Sequence, residues 1–283
     1  MRLWGTIAVA LAVVTCAPPA AAQASGPIAF LPALAGDYFA LDSQALDRRM
    51  HIFVRLPENY ASEPEQTYPV VYLLDGDTLF PMLAPQHLLL HYDEGLPQAI
   101  VVGIAYGGFD PSVNLRHVDF RSVLEDGSPG GAAPFLQFLE RELLPRVEKQ
   151  WRADPERRIL FGQSRSGAFS IYAAYERPEL FHAYVASNPG REANTRLFYG
   201  MDGAQPQGDG EGWLIVTSGS RDYDYLRGTA QQWGREIAGT EGLPWRAELI
   251  DIPGGTHGAS VPVAYRAAML RILGGTPPAP PAP

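Results

Sequence analysis

Three stretches of this chain are almost continuously apolar: Pro69-Val70-Val71-Tyr72-Leu73-Leu74, Ala99-Ile100-Val101-Val102-Gly103-Ile104 and Arg158-Ile159-Leu160-Phe161. Runs of that kind read as strands covered on both faces, the signature of a parallel sheet. Parallel neighbours need long crossover connections, and the chain supplies them. Ala133 to Trp151, Ser166 to Arg177, Tyr225 to Ala238 and Val261 to Leu273 all carry apolar residues at helical spacing, as in Phe135, Phe138, Leu139 and Leu143. Val185 with its neighbours, Trp213 to Val216 and Ala247 to Ile252 add further strands. An opening pair, near Asp37 to Leu41 and Arg49 to Leu56, alternates only partly, as an edge hairpin with one wet face would. No linker or repeat interrupts this alternation. The pattern predicts one α/β domain over residues 23–273, with a mostly parallel sheet of about eight strands and helices on both faces.

The two ends read differently. Met1 to Trp4 carries one positive charge and is followed by the apolar run Ile7 to Val14 and the small residues Ala20-Ala21-Ala22. That predicts a signal peptide over residues 1–22 and an exported protein, periplasmic or secreted, since the run is short of the ~20 residues that span a bilayer. Cys16, the only cysteine, would leave with it, so neither a disulfide framework nor a cysteine nucleophile is expected. The tail 274–283 is Pro-rich and cannot form a regular helix or sheet. Net charge is −9, and loss of Arg2 leaves 21 basic against 31 acidic residues, or −10. With no basic run, nucleic acid is excluded as a partner, and no integral membrane association is expected after cleavage.

Chemistry enters at Gly162-Gln163-Ser164-Arg165-Ser166-Gly167-Ala168, which follows the strand ending at Phe161 and precedes a helical pattern. A serine on such a strand-to-helix turn projects its hydroxyl above the sheet, and crowding demands small residues two positions before and after it. Gly162 satisfies the first requirement and Ser166 the second only approximately. Ser164 is therefore the candidate nucleophile; choosing Ser166 instead would forfeit Gly162.

A serine hydroxyl needs a base at neutral pH. Of six histidines, His257 is the best placed, in the flexible loop Pro253-Gly254-Gly255-Thr256-His257-Gly258 after a strand. A carboxylate should orient that imidazole. After the strand Trp213 to Val216 come Asp222 and Asp224; Asp222, nearer the strand end, is the first choice and Asp224 the alternative, and either could instead cap the helix that follows. Two backbone N–H groups should bind the oxyanion. Arg165 supplies one, and the turn Asp75-Gly76-Asp77 the other, from Asp77 or alternatively Gly76. His87 and His91 have the spacing of zinc ligands but lack the glutamate that would complete the motif, so no metal or other cofactor is predicted.

Val54-Arg55-Leu56-Pro57, Tyr68 to Gly76, Arg177-Pro178-Glu179-Leu180-Phe181 and Gly254 to Gly258 together resemble the putative esterase family of the α/β-hydrolase superfamily, over roughly residues 45–273. That group holds esterase D-like enzymes, feruloyl and acetyl-xylan esterases and enterobactin trilactone esterases. Its trilactone-esterase branch is the most similar, through the Leu73-Leu74-Asp75-Gly76 turn and through Gly103-Ile104 followed by Arg116 and Asp119. The resemblance implies ester hydrolysis through an acyl-enzyme, with Ser164 and His257 in the matching positions. It leaves the acid open, because some siderophore esterases work with a weakened or absent carboxylate. The chain departs from the family at Ser166, where a second glycine is usual.

The segments 106–131 and 188–212 follow strands and are rich in Gly, Pro and polar residues, so they should border the cleft. Arg116, Arg165 and Arg191 are candidates to meet an acidic or catechol-bearing substrate, and Tyr106, Phe109 and Phe198 to hold an apolar group, with Arg116 and Tyr106 foremost. The expected partner is a small-molecule ester. An acyltransferase using the same acyl-enzyme, and a non-catalytic exported binding protein with this fold, are the competing readings.

Overall fold

The computed structural model describes residues 34–190, 206–237 and 240–274. The proposed signal peptide, Arg191, Phe198 and nearly all of the Pro-rich tail lie outside these residues. The chain runs β1 (Gly36–Ser43), β2 (Arg48–Arg55), β3 (Tyr68–Leu73), α1 (Gly76–Glu94), β4 (Ile100–Ala105), α2 (Arg116–Asp119) and α3 (Ala132–Phe138). A π-helical turn, Leu139–Leu143, joins α3 to α4 (Leu144–Gln150). Then follow β5 (Ala153–Gln163), α5 (Arg165–Glu176), β6 (Ala183–Ser187), β7 (Gly212–Gly219), α6 (Asp224–Ile237), β8 (Trp245–Ile252) and α7 (Val261–Leu273).

One eight-stranded sheet has the order β1-β2-β4-β3-β5-β6-β7-β8. β1 and β2 form an antiparallel hairpin at one edge, β2 pairs antiparallel with β4, and every other pairing is parallel. Pro69 lies inside the central strand β3 without an N–H to donate, and the pairing with β5 shifts register between Tyr68 and Val70.

Alternate residues along the strands feed two cores. Val70, Tyr72, Val102, Leu160, Tyr184 and Val216 face a layer that includes Phe135, Phe138, Phe169 and Trp233 from α3, α5 and α6. Their neighbours Val71, Leu73, Val101, Ile159, Phe161 and Val185 face Leu79, Phe80, Leu83, Tyr265 and Met269 from α1 and α7. Burial of each such side chain is worth about 1.5–3 kcal/mol, which is why the apolar runs are uninterrupted.

Helix α1 is the element that apolar runs and helical spacing did not predict. Pro81 and Pro85 lie inside it, and proline normally argues against a helix interior. The buried set Leu79, Phe80, Leu83, Ala84, His87 and Leu90 nevertheless keeps helical spacing. Gly76 opens the helix against β4, where an added Cβ would stand 2.7 Å from the Ile104 nitrogen, so only glycine fits.

His87 is 1% exposed, with Nε2 3.2 Å from the Pro97 carbonyl and Nδ1 2.9 Å from the Tyr265 hydroxyl. A carbonyl only accepts, so Nε2 carries the proton and Nδ1 accepts from the tyrosine. His91 Nδ1 meets the Leu96 carbonyl at 2.6 Å. Among the described residues no group of three or more His, Cys, Asp or Glu could hold a metal ion, and no helix is long and apolar enough to cross a membrane. Burial lowers the pKa of His87 to about 4. The unfolded chain therefore takes up a proton near pH 6.5 that the folded chain refuses until about pH 4. The stabilisation is complete above pH 6.5 and is lost as pH falls across that window, by about 3 kcal/mol. Urea unfolding midpoints measured between pH 7 and pH 4 should drop accordingly for the wild type, and the slope should flatten in His87→Gln.

Candidate active site

Ser164 directly follows β5 and precedes α5, at φ 57° and ψ −117°. A non-glycine residue held there is strained, and the surrounding bonds explain how it persists. Its N–H donates to the Ser187 carbonyl at 2.9 Å, and its own carbonyl accepts from Gly190 at 2.7 Å and Ala168 at 2.9 Å. A Cβ on Gly162 would stand 2.2 Å from the Ser166 carbonyl oxygen, which accounts for the small residue two positions before the serine.

Ser164 Oγ lies 2.8 Å from His257 Nε2, and His257 Nδ1 lies 2.9 Å from Asp222 Oδ1. The Asp222 side chain is 2% exposed and also accepts the Tyr223 N–H at 2.7 Å, so it is aimed at the imidazole by its own turn. Asp224 is exposed and opens α6, the helix-start position that sequence allowed for either aspartate. The loops carrying Asp222 and His257 are laced together by Ser220 N–H to the Ile252 carbonyl, 3.0 Å, and Arg221 N–H to the Gly255 carbonyl, 2.8 Å. Gly76 and Asp77 are the first residues of α1, and Arg165 the first of α5, where N–H groups have no intrahelical acceptor.

Residues 43–251 match the family model described as "Putative esterase". The chain belongs to the putative esterase family. It is 32% identical to the ferri-bacillibactin esterase BesA of Bacillus subtilis over 164 residues, 53% of this chain and 56% of that protein. The chain thus aligns with little more than half the length of that relative. It is 25% identical to the apo-salmochelin esterase of Escherichia coli over 264 residues, 83% of this chain and 78% of the other. Among solved structures, the BES protein from Bacillus cereus superposes with a TM-score of 0.72 at 22% identity, covering 84% of this chain and 94% of that one. That likeness shows the fold, which is the α/β-hydrolase fold.

Beside Ser164 this family member has a cleft of about 240 Å³ lined by Arg116, Arg121, Arg165, Tyr223, Tyr225 and His257. The three guanidiniums are not equivalent. Arg116 forms a two-pronged ion pair with Asp75, at 2.7 and 2.9 Å. Burial opposes its charge, but Asp75 more than offsets this and raises its pKa. Arg121 meets Glu125 at 3.2 Å near the surface. Arg165 forms no ion pair among the described residues; burial, then repulsion from Arg121 and Arg116, lowers its pKa. Tyr223 and Tyr225 stack at 5.9 Å and are both exposed, and Tyr223 lies 5.4 Å from the His257 ring.

One expectation requires correction. Tyr106 does not line the cleft: it is 3% exposed, its hydroxyl donates to Asp119 at 2.8 Å, and its ring packs on Phe120. A buried phenol needs such a partner, and Asp119 is itself held by Arg48. Arg116 lines the cleft as expected, with Nε and one terminal nitrogen bonded to Asp75. Phe109 is exposed and outside the cleft lining.

Asn188 is the residue that pattern reasoning missed. It follows β6 at φ 41° and is 1% exposed. Its amide nitrogen donates to the His257 carbonyl at 2.9 Å and to Ser260 Oγ at 2.8 Å, and its amide oxygen accepts the Gly219 N–H at 2.6 Å. Gln163 Nε2 holds the same His257 carbonyl at 2.9 Å. The only available signal was position, directly after a parallel strand at the sheet's C-terminal edge. Asn188→Ala strands a buried N–H and carbonyl and should cost about 2–3 kcal/mol. Thermal melts should show a Tm lower by about 4–10 °C.

Proposed function

We propose that this protein is an exported serine esterase that cleaves a carboxylic ester through an acyl-enzyme on Ser164. The hydrogen-bonded series Ser164, His257, Asp222 carries the reading. His257 Nε2 takes the Ser164 proton as Oγ attacks the ester carbonyl carbon, and Asp222 fixes the tautomer and stabilises the imidazolium. The carbonyl oxygen becomes an oxyanion, received by the N–H of Arg165 and that of Asp77 or Gly76. Collapse expels the alcohol, which leaves with the proton from His257. Water then attacks the acyl-enzyme, giving up its proton to His257, and a second collapse releases the acid and returns the proton to Ser164 Oγ.

For the substrate, two relatives bear the names of siderophore esterases, and the cleft supports an ester of the same kind. Arg165 and Arg121 favour an anionic group close to the scissile bond, and the stacked Tyr223 and Tyr225 favour a planar ring at the rim. A siderophore ester is small enough to meet an exported enzyme outside the cytoplasm, in keeping with the leader over residues 1–22.

A fluorophosphonate should label Ser164 stoichiometrically, as mapped by peptide mass spectrometry. On aryl esters, Ser164→Ala should lose at least about 10⁴-fold in kcat/KM and Asp222→Asn about 10³–10⁴-fold, while Asp224→Asn stays within about twofold. Unlabelled Ser164, or equal effects at Asp222 and Asp224, would refute the assignment.

A further inference from the structure

The glycine usual in this family two residues after the nucleophile is replaced here by Ser166, and its hydroxyl is fully buried and fully used. Ser166 Oγ accepts the N–H of Gln163 at 2.9 Å and lies 2.6 Å from Asp75 Oδ2, to which it donates. The Gln163 carbonyl is a further acceptor at 3.0 Å, but a single hydroxyl proton goes to the shorter, charge-assisted bond. One oxygen atom thus ties together two turns 91 residues apart in sequence.

What those turns hold gives the tie its meaning. Gln163 directly precedes Ser164 and Arg165, on the nucleophile side. Asp75 directly precedes Gly76 and Asp77, on the other side of the oxyanion site. Asp75 is in the left-handed region, at φ 52° and ψ 44°, and its carbonyl accepts the N–H groups of Thr78 and Leu79 that start α1. Its carboxylate is clamped from outside by Arg116 and from inside by Ser166. The rotation of that left-handed residue sets where the first N–H groups of α1 point. A glycine at 166 would leave one prong of this clamp missing and the Gln163 N–H without its acceptor.

We infer that Ser166 is a positioning residue which, through Asp75, fixes the separation of the two oxyanion-binding N–H groups, and that Arg116 serves the same clamp rather than the substrate. This rests on the proposed esterase reading. Donors held slightly out of place weaken binding of the transition state more than binding of the ester. A positioning defect therefore falls on kcat.

The test compares wild type, Ser166→Ala, Ser166→Gly, Asp75→Asn and the double variant Ser166→Ala/Asp75→Asn, all assayed well below their melting temperatures. Fluorophosphonate labelling of wild-type Ser164 comes first; its failure would overturn the esterase reading itself, before any variant is considered. With labelling established, Ser166→Ala should lower kcat by about 10–100-fold with KM within about twofold. Affinity for an aryl trifluoromethyl ketone, whose hemiketal oxyanion occupies the same site, should fall by the same factor as kcat/KM. Asp75→Asn should act alike, and the double variant should be no worse than the weaker single one, as for residues in one network. Ser166→Gly provides the same comparison should the alanine variant fold poorly. A lowered Tm with unchanged kcat and ketone affinity, a loss confined to KM, or additive effects in the double variant would overturn the inference.

Discussion

A sheet whose strands run parallel and are covered on both faces dictates most of what this molecule can be. Backbone groups in the inner strands β3 to β7 find their partners within the ladder, Pro69 excepted, and their side chains find apolar company above or below. Long crossover connections return each parallel strand to the same starting edge, so the strand exits gather at one edge. Asp75 follows β3, Ser164 follows β5, Asn188 follows β6, Asp222 follows β7 and His257 follows β8. The residues of the candidate site come from five separate stretches of chain because five parallel strands deliver them to the same place.

Having delivered them, the fold must hold them, and it does so with buried polar bonds between the turns themselves. Asn188 and Gln163 share the His257 carbonyl, the Asp222 and His257 loops exchange backbone bonds, and Ser166 joins the elbow to Asp75. Most of these bonds are partly buried, so breaking one would weaken the hold of one turn on the next. The strained backbone at Ser164 is sustained by the same surroundings.

The charge distribution of the cleft follows from how its arginines are paired. Arg116 is ion-paired with Asp75, whereas Arg165, next to Ser164, forms no ion pair among the described residues. The cleft beside Ser164 thus gathers three arginines in a protein whose net charge is −9. The exposed tyrosine pair beside His257 adds a flat apolar surface to that cleft.

By itself the sequence determined the fold class and the parallel sheet, and it singled out Ser164 and His257 as candidates. Continuous apolar runs can be satisfied only by two-sided burial, and Gly162 and the glycine-rich His257 loop mark turns that few other residues could form. It also pointed to Asp222 and to the departure at Ser166. Helix α1 was obscured because Pro81 and Pro85 outweighed the helical spacing of Leu79, Leu83 and His87, a conflict that packing against α7 and the sheet resolves. Only the tertiary structure separated Asp222 from Asp224, since two residues of spacing turn one carboxylate towards the imidazole and leave the other at a helix start. Only it moved Tyr106 into the core, tied Arg116 to Asp75 and brought Asn188 under His257. Those outcomes depend on where a side chain points once strands far apart in sequence are aligned, and local residue patterns carry no record of that direction.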